Sequence, residues 1–254
     1  MMRPFVLFAA FAVTLALATA APQSGPARAE HATTSPEQLE KERSFRQYLL
    51  DHPEIVLDVI QLLRDRDQVA DSERKRAALV AHRETLLNDP TSPVAGNPDG
   101  DVTIVEFFDY HCPYCKRVLP VVEAVLDEDP GVRLVYKEFP ILGPESVVAA
   151  RAGLAAFEQD PDKYPAFHDA MMSSRARLNE TRIMEMAAEV GLDAERLKAD
   201  MAKPEIEATI ARNRALAQAL GISGTPAFVI GDRIVPGAID LSTLKQLVAR
   251  ARSS

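Results

Sequence analysis

Two cysteines, three positions apart, constrain this chain more than any other feature. Cys112 and Cys115 are the only cysteines among 254 residues, so an intramolecular disulfide can form only between them. Apolar residues make up 47% of the chain, enough for a sizeable core without a disulfide framework. The pair is therefore expected to be chemically active, either as a dithiol or as half of a metal site.

A zinc site needs two ligands beyond one Cys-x-x-Cys pair, and the sequence has no second pair. The histidines outside the motif, His31, His52, His82 and His168, show no ligand spacing and are predicted to lie at the surface. The pair is therefore interpreted as a redox dithiol that binds no metal and needs no cofactor.

The charge of the chain argues against one class of partner. There are 29 basic and 37 acidic residues, which give a net charge of −8. Such a chain provides no general positive field to hold phosphates. Nucleic acid is not an expected partner.

The first twenty residues have the pattern of a secretory signal peptide. Arg3 gives a positive start, residues 5–17 are apolar, and residues 18–20 form a small-x-small cleavage site. A membrane anchor is the alternative, but about thirteen strongly apolar residues fall short of the roughly 20 that a spanning helix needs. Export would place the mature chain outside the reducing cytosol.

Composition divides the rest of the chain into three parts. Residues 21–36 are rich in Pro, Ser, Gly and Ala, which predicts a flexible linker. Residues 37–90 predict helices, because apolar residues recur at spacings of three and four. Pro53 is expected to start a second helix, and the charged residues beyond Leu63 predict a solvated connector. Residues 91–254 mix strand and helix patterns and form the main domain.

The main domain has the element order of an α/β thioredoxin fold with an all-helical insertion. The pattern predicts a strand, a helix, a strand, the insertion, a hairpin and a final helix over about residues 102–108, 112–127, 132–139, 144–205, 227–235 and 240–250. Asn179 and Asp193 are candidate helix caps in the insertion. The pair Gly231-Asp232 is typical of a two-residue hairpin turn.

Cys112 is predicted to be the nucleophile because it stands at the entrance of a helix. Unpaired N–H groups and the positive end of the helix dipole favour its thiolate there. Cys115, one turn further in, is placed to attack a mixed disulfide formed at Cys112. Pro113 suits the first helical turn, and His111 and Tyr114 can bias the thiolate by charge or hydrogen bonding.

Two motifs and the long insertion resemble one known family. The motifs are EFFDYHCPYC at residues 106–115 and GTPAF at residues 224–228. Together with the insertion they resemble the DsbA-like thiol–disulfide oxidoreductases over roughly residues 91–254. The apolar stretch at residues 45–63 is similar to the extra segment of the suppressor-of-copper-sensitivity protein C (ScsC) group.

The resemblance implies further site residues. Pro226 matches the cis-proline of the family, so Thr225 would lie beside the reactive cysteine and offer its backbone to an extended substrate. Glu106 matches a buried acid that could shuttle the proton of Cys115, with Lys137 as its predicted partner. The alternative for Glu106 is a solvated strand face.

The resemblance also implies a function, a disulfide isomerase or reductase that acts on misoxidised periplasmic proteins and is recycled by a membrane thiol-reductase or oxidase. A DsbA-like oxidase, working as a monomer, is the first alternative. A glutaredoxin shares the Cys-Pro-Tyr-Cys motif but is shorter and lacks the insertion. A copper carrier would use His111, Cys112 and Cys115 as soft ligands.

The helices at residues 37–63 are predicted to be an oligomerisation segment. Two short helices bury too little surface to be stable alone, and a charged connector separates them from the main domain. Self-association would bury their apolar residues, namely Phe45, Tyr48, Leu49, Ile55, Val56, Val59, Ile60 and Leu63. The ScsC resemblance implies a trimer. Alternatively, the helices fold back on the main domain of one chain.

Overall fold

The structure is a computed structural model that describes residues 35–253. The predicted signal peptide and most of the predicted linker therefore lie outside the described residues. The chain divides into two compact units between Ile60 and Gln61. No helix among the described residues is both long and apolar enough to cross a membrane.

Two helices begin the described chain, α1 (Pro36–Asp51) and α2 (Pro53–Ala81). Ser35 caps α1 by accepting a hydrogen bond from the backbone N–H of Gln38, and the Gln38 side chain returns one to the Ser35 backbone. The second helix begins at Pro53, as predicted, because proline has no N–H to continue the first. No residue of α1 is buried.

A five-stranded mixed sheet organises the second unit. The elements after α2 are α3 (Arg83–Leu87), β1 (Val94–Gly96), β2 (Val102–Phe108), α4 (Pro113–Glu128), β3 (Val132–Glu138), α5 (Pro144–Gln159), α6 (Tyr164–Ser173), α7 (Glu180–Glu189), α8 (Ala194–Asp200), α9 (Pro204–Ala219), β4 (Ala227–Ile230), β5 (Arg233–Pro236) and α10 (Leu241–Arg252). The strand order in the sheet is β1-β3-β2-β4-β5. Among these neighbouring strands, only β2 and β3 are parallel to each other.

Helices α5 to α8 occupy the insertion predicted at about residues 144–205, and α9 then leads back to β4. Asn179 accepts a hydrogen bond from the N–H of Arg182 at the start of α7. Asp193 does the same for Arg196 at the start of α8. Both predicted caps are confirmed, because a short side-chain acceptor satisfies an amide that the helix itself leaves unpaired.

The strand β1 was not predicted. Its three residues pair antiparallel with β3, with Val94 opposite Val135 and Gly96 opposite Arg133. A strand this short shows no alternating pattern, and it forms only because β3 offers an open edge.

The side chains of β2 alternate between two separate cores, which positions the site described below. Ile104 and Phe108 pack into the larger core, which includes α4 and the insertion. Val105 and Phe107 pack into the smaller core on the opposite face of the sheet. Successive side chains of a strand point to opposite faces of the sheet, so alternate residues of β2 pack on the same face.

Candidate active site

The two cysteines lie at the start of α4. Cys112 is the N-cap residue of α4, Pro113 is its first residue, and Cys115 lies in the first turn. Both thiols are free, and the residues are 4% and 1% exposed. The geometry therefore places Cys112 at the positive end of the helix, with Cys115 buried behind it.

The loop before β4 meets Cys112. Because β2 and β4 pair antiparallel, with Phe107 opposite Ala227, the residues just before β4 come to the end of β2 that leads to the cysteines. The peptide bond between Thr225 and Pro226 is cis, as the resemblance implies. The sulfur of Cys112 lies 3.2 Å from the Thr225 carbonyl oxygen.

The pKa of Cys112 falls to about 5, well below that of an ordinary thiol. The main cause is a hydrogen bond from Cys115 to its sulfur, which outweighs the opposing effect of burial. The Thr225 side chain and the backbone N–H groups of Cys115 and Tyr114 lower the pKa further. Cys112 is therefore a thiolate at neutral pH.

The pKa of Cys115 is raised instead. Its hydrogen bond to Cys112 is the main cause, followed by burial and the nearby charge of Glu106. The two thiols thus share one proton, which stays on Cys115 while Cys112 carries the charge.

Glu106 is buried at 4% exposure, so the alternative of a solvated strand face is wrong. Burial raises its pKa to about 8, and the negative charge of Cys112 adds to the effect. A carboxyl group with this pKa can hold or release a proton near neutral pH. Its role as a proton shuttle stays a prediction.

Lys137 is not the partner of Glu106, and that prediction is wrong. The Lys137 ammonium donates to the carbonyl oxygen of Thr85 at 2.7 Å and to Ser92 Oγ at 2.8 Å, and it pairs with Asp89 at 3.5 Å. In the β2–β3 register Glu106 lies opposite Tyr136, so the next residue of β3 faces the other side of the sheet. Lys137 is therefore outside the cysteine site.

His111 and Tyr114, the other predicted neighbours of the thiols, differ in their exposure and contacts. The ring of His111 is half-buried, and its Nε2 lies 3.9 Å from Glu145 Oε2. Tyr114 is exposed, with the guanidinium of Arg117 5.0 Å from its ring centroid. Among residues 35–253 no group of three or more His, Cys, Asp or Glu side chains is placed to hold a metal ion.

Asp109 supports the site and was missed in the sequence. Its Oδ1 accepts a hydrogen bond from the backbone N–H of His111 at 2.8 Å. Its Oδ2 accepts from Ile141 and Leu142 at 2.9 and 3.1 Å. This buried carboxylate ties the loop before Cys112 to the segment after β3. An aspartate that begins a loop after a strand is the available signal, since it favours such an Asx turn.

His168 is buried at 1% exposure, so the prediction of a surface histidine is wrong. The hydroxyl groups of Tyr110 and Tyr164 lie 3.0 and 3.3 Å from its Nδ1. Burial lowers its pKa to about 3, so the ring is neutral. The residues Tyr164 and Met171, four positions before and three positions after His168 on the same side of α6, were the signal for burial.

Comparison with known proteins decides the family. Residues 103–249 match the family described as the DSBA-like thioredoxin domain. The chain belongs to this family. Its solved relatives include a thioredoxin-like oxidoreductase from Silicibacter pomeroyi, with 55% identity and a TM-score of 0.65. That comparison covers 68% of this chain and 98% of the other.

A second solved structure extends the similarity of this DsbA-like chain toward its N terminus. Proteus mirabilis ScsC in a transitional conformation is 32% identical, with a TM-score of 0.65. The comparison covers 86% of this chain and 99% of that protein. The predicted resemblance to the DsbA-like proteins and the ScsC group is thus confirmed.

The curated relatives are more distant. The thiol:disulfide interchange protein DsbA of Bordetella parapertussis is 29% identical over 63% of this chain and 81% of its own length. Two Na(+)/H(+) antiporters NhaA, from Salinispora tropica and Salinispora arenicola, contain a region that is 29% and 28% identical to this chain. The chain spans only 29% and 28% of their length.

Proposed function

We propose that this protein is an exported thiol–disulfide oxidoreductase that reduces and isomerises wrong disulfides in periplasmic proteins. One observation carries the proposal: the thiolate of Cys112 and the proton-bearing thiol of Cys115 are adjacent, and Cys112 lies beside the cis-proline loop. This arrangement provides a nucleophile, a resolving thiol and a backbone edge for an extended substrate.

The first chemical step is attack by the Cys112 thiolate on one sulfur of a substrate disulfide. A bond forms between Cys112 and that sulfur, the substrate disulfide breaks, and the second substrate sulfur leaves as a thiolate. Thr225 presents its backbone next to Cys112, where it can pair with the substrate segment that carries the attacked sulfur.

The mixed disulfide then has two outcomes. In reduction, Cys115 loses its proton to Glu106 and attacks Cys112, which releases the substrate thiolate and leaves a disulfide between Cys112 and Cys115. In isomerisation, another substrate thiolate attacks the mixed disulfide and regenerates the Cys112 thiolate, so no net oxidation occurs. Reduction therefore requires a membrane thiol-reductase to return the pair to dithiols.

Self-association at residues 37–63 is the part of the proposal that favours isomerisation. Phe45, Tyr48, Val59 and Leu63 are all exposed in the single chain. An apolar surface of this kind is typical of an interface. We propose a homotrimer on the basis of the similarity to ScsC, because several Cys112 sites around one substrate can attack its wrong disulfides repeatedly.

Refolding of scrambled ribonuclease tests this function. The isomerase function predicts recovery of ribonuclease activity with catalytic amounts of the reduced protein, whereas Cys112→Ser recovers none. A DsbA-like oxidase would instead rapidly oxidise reduced ribonuclease and recover little activity from the scrambled form. Copper content after purification under reducing conditions tests the alternative of a copper carrier.

A further inference from the structure

A groove of about 480 Å³ lies beside the cis-proline loop. Its walls include Ile222 and Thr225 before β4, and Ile234 and Pro236 on β5. These side chains are mostly apolar, and the groove leads to the loop that contacts Cys112. A substrate segment that pairs with the Thr225 backbone would therefore have its neighbouring side chains in this groove.

Two cations line the groove, and they come from different helices. Lys75 belongs to α2, before the region that matches the family at residues 103–249. Its Cε lies 3.6 Å from the position that a Cβ on Gly221 would take, so the lysine stem packs over the loop before β4. Arg117 belongs to α4 and stacks on the Tyr114 ring.

The charge in the groove is opposite to that of the whole chain. The chain carries 37 acidic and 29 basic residues, yet none of the described residues that line the groove is acidic. Asp71 does not line the groove, but it forms an ion pair with Lys75 at 2.6 Å. It also forms an ion pair with Arg74 at 3.2 Å. The cluster of Lys75, Arg74 and Asp71 therefore keeps a net positive charge, and Arg117 adds another in the groove.

We propose that this groove selects substrate segments that carry an acidic side chain close to the attacked cysteine, with Lys75 and Arg117 as the residues that determine this specificity. The inference rests on the proposed function, since it assigns a substrate class to the same site. It also gives α2 a role in substrate choice, because α2 supplies one of the two cations.

Two disulfide peptides test the proposal. Each carries one cysteine linked to 2-thiopyridine, a neutral leaving group that absorbs light when released, and they differ only by aspartate or asparagine next to the cysteine. Stopped-flow absorbance gives the second-order rate constant of each peptide with the reduced full-length protein. We expect the aspartate peptide to react about two- to five-fold faster, and the ratio to fall toward one as salt rises.

Substitutions assign the effect to the groove. Lys75→Gln and Arg117→Gln should each lower the ratio of the two rate constants, and the double variant should abolish the preference. Lys198→Gln is the matched control, because Lys198 is also exposed and paired with an acid, Glu180, but lies on α8 outside the groove. This control should keep the wild-type ratio.

Three results would overturn the inference: equal rate constants for the two peptides in the wild-type protein, an unchanged ratio in the double variant, or an equal loss in Lys198→Gln. The asparagine peptide distinguishes failure of the proposed specificity from failure of the proposed function. If that peptide reacts but the aspartate peptide gains nothing, the groove lacks the specificity while Cys112 is still a nucleophile. If neither peptide reacts, the proposed function itself fails.

Discussion

The sulfur of Cys112 lies 3.2 Å from the carbonyl oxygen of Thr225, although 113 residues separate the two in sequence. The antiparallel pairing of β2 with β4 brings the two residues to the same end of the sheet, because Thr225 precedes the last pair, Phe107 with Ala227, and Cys112 follows it. The nucleophile and a backbone acceptor are therefore fixed by a sheet rather than by a single loop. A substrate strand can pair with the backbone while its sulfur is attacked.

Substitution of each cysteine should separate their two roles. Cys112→Ser should abolish exchange, because the remaining thiol, Cys115, is buried and its pKa is raised. Cys115→Ser should accumulate mixed disulfides at Cys112, because the resolving attack is lost. Nonreducing gels of cells that express each variant, followed by mass spectrometry, would show these adducts. Adducts on the Cys112 variant alone would reverse the assignment.

Thr225→Val should raise the pKa of Cys112, because the Thr225 side chain stabilises the thiolate. The rate of thiol alkylation should rise with pH through about 5 in the wild-type protein. We expect the midpoint in the variant to move up by about one pH unit. Thr225→Ser keeps the hydroxyl group and should restore the wild-type midpoint. A midpoint that stays at the wild-type value in Thr225→Val would exclude this contribution.

Glu106→Gln should slow the release of substrate from the mixed disulfide, because Cys115 loses its proton acceptor. Formation of the mixed disulfide should be affected much less, since Cys112 is already a thiolate. Rapid acid quenching with chromatography measures the two steps separately. Equal slowing of both steps would contradict the shuttle role.

Glu106→Leu should change how stability depends on pH. The pKa of Glu106 is raised in the folded protein to about 8, so the folded state binds this proton more tightly than the unfolded state. The stability that this bound proton adds to the folded state is complete below the ordinary pKa of a glutamate, and it is lost as the pH rises toward 8. At pH 8 the variant should be more stable than wild type by about 1–3 kcal/mol, measured by urea unfolding. An identical pH dependence in both proteins would show that the carboxyl is not buried as described.

Lys137→Met should destabilise the fold by about 1–3 kcal/mol, because it leaves the Thr85 carbonyl and Ser92 without their buried partner. The midpoint of Cys112 alkylation should not move, since Lys137 faces the other side of the sheet. Urea unfolding and the alkylation profile measure these two properties on the same sample. A shifted alkylation midpoint would show that Lys137 does influence the cysteine site.

Short-range signals in the sequence predicted most of the elements that build the site. The run of Val, Ile and Phe at residues 102–108 predicted β2, and the position of Cys112 predicted the start of α4. The cis form of the bond before Pro226 followed only from the family resemblance. Locally, the same two residues are typical of any turn before a strand.

The errors concern contacts that depend on register or on distant segments. Pairing Glu106 with Lys137 requires the register of β2 and β3, and a shift of one residue reverses the face of every side chain. The periodicity of α6 signals the burial of His168, but its contact with Tyr110 joins residues 58 positions apart. A single sequence carries no local signal for either contact.

Deletion of residues 21–63 tests the oligomerisation segment, and its endpoint lies close to the boundary between the two compact units. The shortened protein should fold as a monomer, because the sheet and both cores lie in the second unit. Its Cys112 should keep the alkylation profile of the full chain, while recovery of scrambled ribonuclease is lost. Sedimentation equilibrium gives the mass of both proteins.

A milder variant, Phe45→Glu, places a charge on the exposed apolar surface without removing a helix. Like the deletion, it should weaken self-association. A full-length protein that sediments as a monomer would contradict the proposed assembly.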